Sequence, residues 1–252
     1  MWGASFSLQK TSVVFGTTVA LDSVELEIAS GEAVAFVGLS GAGKTTLLSL
    51  LNGTVRPTEG LVQVDGRTLA QLSFKELRQV RAGIGFVHQD LSLVPNLRVL
   101  HNVLAGRLGR LSFLGGVRAF LFPPRAYVHQ IYEILERVGI PEKIYERTDR
   151  LSGGQRQRVA IARALFQQPQ GLLADEPVSS VDPARARSAV ALLTDISREQ
   201  GLTLCVSLHN LHLAREFFPR LVGLRAGRVV FDRATRLVEE SEFKALYDLN
   251  GA

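Results

Sequence analysis

The sequence predicts an α/β fold, a mostly parallel sheet covered on both sides by helices. Three observations carry that expectation. Strand-length apolar runs alternate with segments of helical period. The runs "EAVAFVGL" and "GLLAD" are almost continuously apolar, as in strands buried on both faces. Between the first of these and an apolar helix stands the glycine-rich stretch "GLSGAGKTT", Gly38 to Thr46.

Taken in order, "FSLQKTSVVF" and "ALDSVELEIA" read as period-two strands, the second with Val24, Leu26 and Ile28 on one face. "EAVAFVGL" follows as a buried strand, and "KTTLLSLLNG" as a helix stopped by Gly53. "RPTEG" and "VDG" are turns around a short strand, "LVQV". From about residue 90 to 150 the pattern turns helical. There "AYVHQIYEILERVGIP" sets Val128, Ile131, Leu135 and Val138 at helical spacing, closed by Gly139 and Pro141. Beyond 151 a helix runs to about Phe166, and "GLLAD" is a strand. "PARARSAVALLTDISREQ" is a helix with Ala186, Ala189, Val190, Leu193 and Ile196 turned inward. "LTLCVSL" is a strand, a short helix follows His209, and "RLVGLRAGRVVFD" is a hairpin. No internal repeat or low-complexity linker breaks the pattern. One domain over residues 1–252 is expected, with 1–89 and 151–252 as the α/β part and about 90–150 as an inserted helical section.

Composition narrows the setting. The chain has 252 residues, long enough to bury a real core, and 46% of them are hydrophobic. It contains no apolar run of the roughly 18 residues that span a bilayer. "MWGASFSLQK" lacks the basic start and apolar stretch of a secretory signal, which predicts the cytoplasmic side of the membrane. The lone Cys205 excludes an internal disulfide and reads as a small core residue. A net charge of +5 suits nucleic acid or an anionic membrane face, but so modest an excess reads first as plain solubility, so the motifs must decide.

In "GLSGAGKTT" the glycines Gly38, Gly41 and Gly43, with Ser40 and Ala42 between them, let backbone N–H groups converge on phosphate oxygens. Lys44 supplies a point charge for the β and γ phosphates, Thr45 a hydroxyl for Mg²⁺, and Thr46 reaches the α phosphate. "GLLADEP" sets Asp175 and Glu176 at a strand end. Beside a phosphate loop, Asp175 can hold hydrated Mg²⁺ while Glu176 polarises the attacking water. Gln89, His209 and Asp182 are weak signals singly: a turn residue, a hydrogen-bonded histidine, an N-cap. Each nevertheless follows a strand end or begins a helix, where α/β sheets gather their sites. "LSGGQRQRVAIARAL" then offers a second anion cradle at Ser152, Gly153 and Gly154, in a chain with one phosphate loop.

Together these motifs resemble the nucleotide-binding subunits of ABC transporters, whose signature "LSGGQRQR" matches; the likeness covers essentially the whole chain. It implies a P-loop ATPase core with an N-terminal antiparallel β subdomain and an inserted helical subdomain. It also explains the second cradle, because in this family two subunits close head to tail around ATP. Ser152, Gly153, Gly154 and Gln155 would then serve the partner's nucleotide. The resemblance makes Glu176, His209 and Gln89 catalytic, gives Asp182 to the nucleotide, and adds Gln89 to Thr45 and Asp175 around the metal. Phe15 matches the family's adenine-stacking aromatic, the favoured reading over that of a strand-end core residue. Val181 stands where many relatives carry leucine. The implied cofactors are ATP and Mg²⁺. The implied partners are a second copy, integral-membrane permease subunits and, indirectly, a substrate-binding protein outside the membrane; no nucleic acid is expected. The implied location is peripheral, on the cytoplasmic face of the inner membrane.

Finer matches, "LSLVPNLRVLHNVLAGRLG", "LADEPVSSVDP" and "LVGLRAGRVVFD", look like the ATPases of phosphonate importers, a group with relatives that act on phosphite. Few residues follow 235, which argues against the sugar-importer type with its regulatory domain. The alternatives are another ABC importer or a lipoprotein exporter and, from a different class, a soluble ABC ATPase working on nucleic acid. "RLGRLSFLGGVRAFLFPPR", where large apolar residues interleave with arginines, reads either as a loop tucked onto the helical section or as a permease or membrane contact.

Overall fold

The computed structural model describes residues 3–178 and 183–247. Along the chain β1 (Phe6–Phe15) and β2 (Thr18–Ile28) form a hairpin. β3 (Ala33–Val37) leads through the glycine loop into α1 (Lys44–Leu51), and β4 (Glu59–Val64) and β5 (Arg67–Thr68) follow. Next come α2 (Phe74–Ala82), β6 (Ile84–Val87) and three helices, α3 (Val99–Leu108), α4 (Phe113–Leu121) and α5 (Arg125–Arg137). The last third is α6 (Gly153–Phe166), β7 (Gly171–Asp175), α7 (Pro183–Gln200), β8 (Thr203–Leu208), α8 (Leu211–Phe217), β9 (Arg220–Arg225), β10 (Arg228–Ala234) and α9 (Glu240–Tyr247).

The strands form two sheets. One is antiparallel in the order β2-β1-β4-β5; the other has the order β10-β9-β3-β8-β7-β6, parallel except for β10. The larger sheet separates two apolar cores, which accounts for its unbroken hydrophobic strands. In β3, Ala35 and Val37 enter one core while Val34 and Phe36 enter the other. In β8, Leu204 and Val206 face the first core and Cys205 the second. Cys205 is fully buried, and that burial pushes its thiol pKa far up, consistent with an inert packing residue.

α1 lies in the second core with Leu47, Leu48, Leu50 and Leu51 all buried, so its eight residues are held by packing rather than by propensity. α2 is a helix absent from the sequence reading. Its apolar face is only Leu77 and Val80, but a capping box starts it: Ser73 Oγ accepts from the Glu76 N–H, and Glu76 accepts from the Ser73 N–H. α5 buries Ile131 and Leu135, and Gly139 ends it with φ +74°. α3 and α5 pack on α6, and Val103, Ile131, Ile161 and Val206 belong to one continuous core. The helical section is therefore welded to the sheet through α6. α9, also unread in the sequence, docks Phe243 edge-on against Phe231 at 5.8 Å between ring centres.

Candidate active site

Four strands of the large sheet end side by side in the order β3, β8, β7, β6, and each is followed by a residue singled out in the sequence. The glycine loop and Lys44 follow β3, His209 follows β8, Glu176 follows β7 and Gln89 follows β6. Parallel strands present their carboxyl ends together, so residues far apart in the chain converge on one rim.

The loop's glycines are required by space as well as by conformation. A Cβ on Gly38 would sit 2.2 Å from the Leu224 carbonyl oxygen, and one on Gly43 2.6 Å from that of Ala20. Both also have positive φ, +151° and +102°. The loop is thus pressed between β2 and β9. α1 begins at Lys44 with no capping side chain and no acidic residue in its first turn, so its N–H groups and positive end are left to a ligand. Ser40 and Thr45 are exposed and Thr46 is half-buried; Ala42 and Lys44 are buried.

Lys44 Nζ donates to the carbonyl oxygens of Gly38 (2.9 Å) and Leu39 (3.0 Å) and lies 3.7 Å from Glu176 Oε1. The ammonium therefore points across the loop mouth. Burial lowers its pKa from the ordinary lysine value, and Glu176 and Asp175 oppose that shift. Glu176 Oε1 is also in contact with His209 Nε2, and its Oε2 accepts from Gln89 Nε2 at 3.3 Å. Its backbone is left-handed, φ +43°, a conformation that costs a non-glycine residue about 1 kcal/mol or more. The surroundings hold it there: the Glu176 N–H donates to Ser207 Oγ at 2.8 Å.

Ser207 was not singled out in the sequence. It is fully buried in β8, and its hydroxyl also donates to Asp175 Oδ1 at 2.6 Å, so one side chain orients both carboxylate residues. The signal available was a lone hydroxyl inside the apolar run "LCVSL", two residues before His209. Gln157 is a second such residue. Buried in α6, it donates through Nε2 to the Pro177 carbonyl oxygen and ties that helix to the segment after Glu176.

The second cradle is built but stands apart. Ser152 caps α6 in a capping box: its Oγ accepts from the Gln155 N–H (3.3 Å), and Gln155 Oε1 accepts from the Ser152 N–H (3.0 Å). With its oxygen accepting, the Ser152 hydroxyl still has its O–H to donate. Gly153 has open space where a side chain would be, and a Cβ on Gly154 would meet only ordinary contact at 3.8 Å. These glycines keep the helix end bare rather than meet a strained turn. Ser152, Gly154 and Gln155 line one cleft with Arg185, while Gly153 lines another, of 500 Å³, with Gln89, Glu176 and Arg156. Neither cleft includes Lys44 or the glycine loop. A larger cleft among the described residues, of 1190 Å³, lies elsewhere, between Arg78, Arg110, Glu133 and Arg137.

Phe15 ends β1 and is 53% exposed, which removes it from the core. Its hairpin runs on through Ala20, which abuts Gly43. Asp182, with Ser179, Ser180 and Val181, lies outside the described residues.

Residues 21–179 match the family model described as ABC transporter. "Phosphonates import ATP-binding protein PhnC 3" of Halalkalibacterium halodurans is 44% identical over 230 residues, 91% of this chain and 88% of that protein. "Phosphonates import ATP-binding protein PhnC" of Pseudomonas putida is 43% identical over 244 residues, 97% of this chain and 90% of its own length. Among solved structures, the dimeric post-hydrolysis state of the ATP-binding cassette MJ0796 bound to ADP and Pi is 32% identical with a TM-score of 0.76, covering 92% of this chain and 100% of that one. The cbiO1 protein of Clostridium perfringens, part of the transporter complex cbiONQ, gives a TM-score of 0.80 at 26% identity over 95% of this chain and 92% of its own. The fold, the glycine loop, the paired carboxylates and these likenesses agree, and the chain belongs to the ABC transporter family as one of its ATP-binding subunits.

Proposed function

We propose that this subunit hydrolyses ATP between two head-to-tail copies and so powers uptake of phosphonates, or related reduced phosphorus compounds, through a membrane permease. The observation that carries the hydrolytic half is the grouping of Lys44, Glu176, Gln89 and His209 on one rim, with Glu176 Oε1 3.7 Å from Lys44 Nζ. The cargo is supported by 44% identity over 91% of the chain to a protein named for phosphonate import.

In this reading the loop from Gly38 to Thr46 cradles the phosphates, and Lys44 exchanges its two carbonyl acceptors for phosphate oxygens. Glu176 takes the proton of the attacking water at its carboxylate, and His209 and Gln89 keep that carboxylate aimed. Phe15 stacks on the base. Ser152, Gly153, Gly154 and Gln155 contribute N–H and O–H donors to the nucleotide held by the other copy, and Asp182 completes that contact. Thr45, Asp175 and the oxygen of Gln89, whose amide nitrogen is engaged by Glu176, form a set of hard oxygen donors. Such a set fits Mg²⁺, which keeps several waters and shares phosphate ligands. Bound there, the ion would neutralise charge on the phosphate oxygens.

Ser207 is a positioning residue in this scheme. Ser207→Ala removes the donor to Asp175 and the acceptor for the Glu176 N–H. The expected cost is about 1–3 kcal/mol of stability, with kcat falling about tenfold and the KM for ATP nearly unchanged. Thermal denaturation and steady-state phosphate release check this; unaltered kcat would remove Ser207 from the site.

Growth tests the function as a whole. The gene is deleted in its host, and wild type or Glu176→Gln is restored with phosphate, methylphosphonate or phosphite as sole phosphorus source. Loss of growth on phosphonate or phosphite alone, rescued only by wild type, is expected. Unimpaired growth on all three, in a strain without a second importer, would overturn the cargo assignment and leave the ATPase standing.

A further inference from the structure

From Leu91 to Tyr132 the chain carries five arginines, Arg98, Arg107, Arg110, Arg118 and Arg125, and no aspartate or glutamate. These five account for the whole net charge of +5, because the other 24 of the 29 lysines and arginines are matched by 24 acidic residues. α4 lies in the middle of this segment. Phe113, Leu114, Val117 and Leu121 form one stripe along it, and Phe122 follows directly. Phe113 is 84% exposed, Leu114 79% and Phe122 75%.

The exposed stripe belongs to an anchored helix. On the inner side Ala119 is buried, and Phe120 packs against the His101 ring at 4.9 Å. Ser112 caps the first turn, accepting from the Gly115 N–H. Arg110 donates to the Ala82 carbonyl oxygen at 2.7 Å, and Arg78 to those of Gly109 (2.7 Å) and Leu111 (2.8 Å). Phe74, one helical turn before Arg78 on the same face of α2, is 81% exposed and extends the patch. Among the described residues none of the five arginines is in an ion pair with a carboxylate.

We infer that α4 and its flanking arginines lie on an anionic phospholipid bilayer, a direct lipid contact in addition to any permease contact. Apolar side chains that protrude from a helix whose own stretch of chain carries arginines and no carboxylate match a negatively charged leaflet, where rings enter the acyl boundary and arginines stay among phosphates. Geometry favours lipid over protein. Phe113, Leu114, Leu121 and Phe122 line none of the larger clefts but stand out from the surface. A flat bilayer accommodates such a ridge directly, whereas a protein partner needs a matching groove. One short helix binds weakly; each arginine at an anionic surface adds roughly fivefold. The contact therefore orients a subunit already tethered through its permease, and it depends on neither nucleotide nor cargo.

The test is sedimentation of the purified full-length protein with vesicles of phosphatidylcholine, alone or mixed with phosphatidylglycerol, without nucleotide. Binding to the mixed vesicles only, weakened by salt, is expected. The double variant Arg118→Ser/Arg125→Ser should reduce bound protein by about 25-fold, and the triple variant Phe113→Ser/Leu114→Ser/Leu121→Ser by about tenfold or more. Both should keep wild-type melting and ATPase turnover, because the altered side chains are exposed. Equal binding by wild type and variants, or none by wild type, overturns the inference. A wild type that ignores vesicles, with a triple variant that loses its permease in detergent, assigns the ridge to protein instead. Because ATP plays no part, failure here leaves the import reading untouched.

Discussion

Glu176→Gln is expected to lower ATP turnover by about a hundredfold or more while leaving ATP binding nearly intact. The substitution keeps the volume and hydrogen-bonding reach of the side chain and removes the basic oxygen that would take the proton from water. Lys44, 3.7 Å away, loses a nearby negative charge, so the cavity favours the nucleotide's phosphates slightly more than before. With release of the γ phosphate blocked, ATP should accumulate between two copies. Light scattering should find a dimer with ATP present and mainly monomer without it. Turnover within a few fold of wild type would exclude Glu176 as the base. A monomer under all conditions would count against the head-to-tail pair while leaving the phosphate loop unaffected.

Lys44→Met should act at the opposite end of the same chemistry, on binding. Methionine fills the buried stem but cannot donate to phosphate, and a charge-assisted contact of this kind contributes about 3 kcal/mol, or roughly two powers of ten in affinity. Calorimetric titration with ATP and ADP measures it directly. Without nucleotide the loss should be smaller, since Lys44 there meets only the carbonyl oxygens of Gly38 and Leu39 beside Glu176. Affinity unchanged within a factor of a few would mean that the ammonium does not reach the phosphates. The two substitutions should thus separate: Glu176→Gln binds without turning over, and Lys44→Met does not bind.

The parts of the fold that could be read from the sequence are those with a local physical cause. The spacing of Gly38, Gly41 and Gly43 reflects positive φ and close backbone approach, conditions imposed within a few residues of chain. The unbroken apolar runs of β3, β7 and β8 reflect burial on both faces, and the Ser152–Gln155 pair is a helix start in sequence form. α2 was equally legible through Ser73 and Glu76, but its apolar face was too narrow to draw attention. The exposure of α4 was not legible: an interleaving of arginine and apolar residues fits a tucked loop as well as a ridge, and only packing decides which side faces out.

By itself, then, the sequence determined the elements and the chemical inventory, because propensity, capping and glycine geometry act over a few residues. Which of those groups meet was decided by tertiary structure. Gln89 and Glu176 lie 87 positions apart yet hydrogen-bond, because β6 and β7 pair in parallel and present their carboxyl ends side by side. Ser207 became a site residue only when β8 settled beside β7, bringing one buried hydroxyl against Asp175 Oδ1 and the Glu176 N–H together. A single serine in an apolar run carries no mark of that role; a buried hydroxyl takes its partners from the neighbouring strand, and strand adjacency is set by long-range packing.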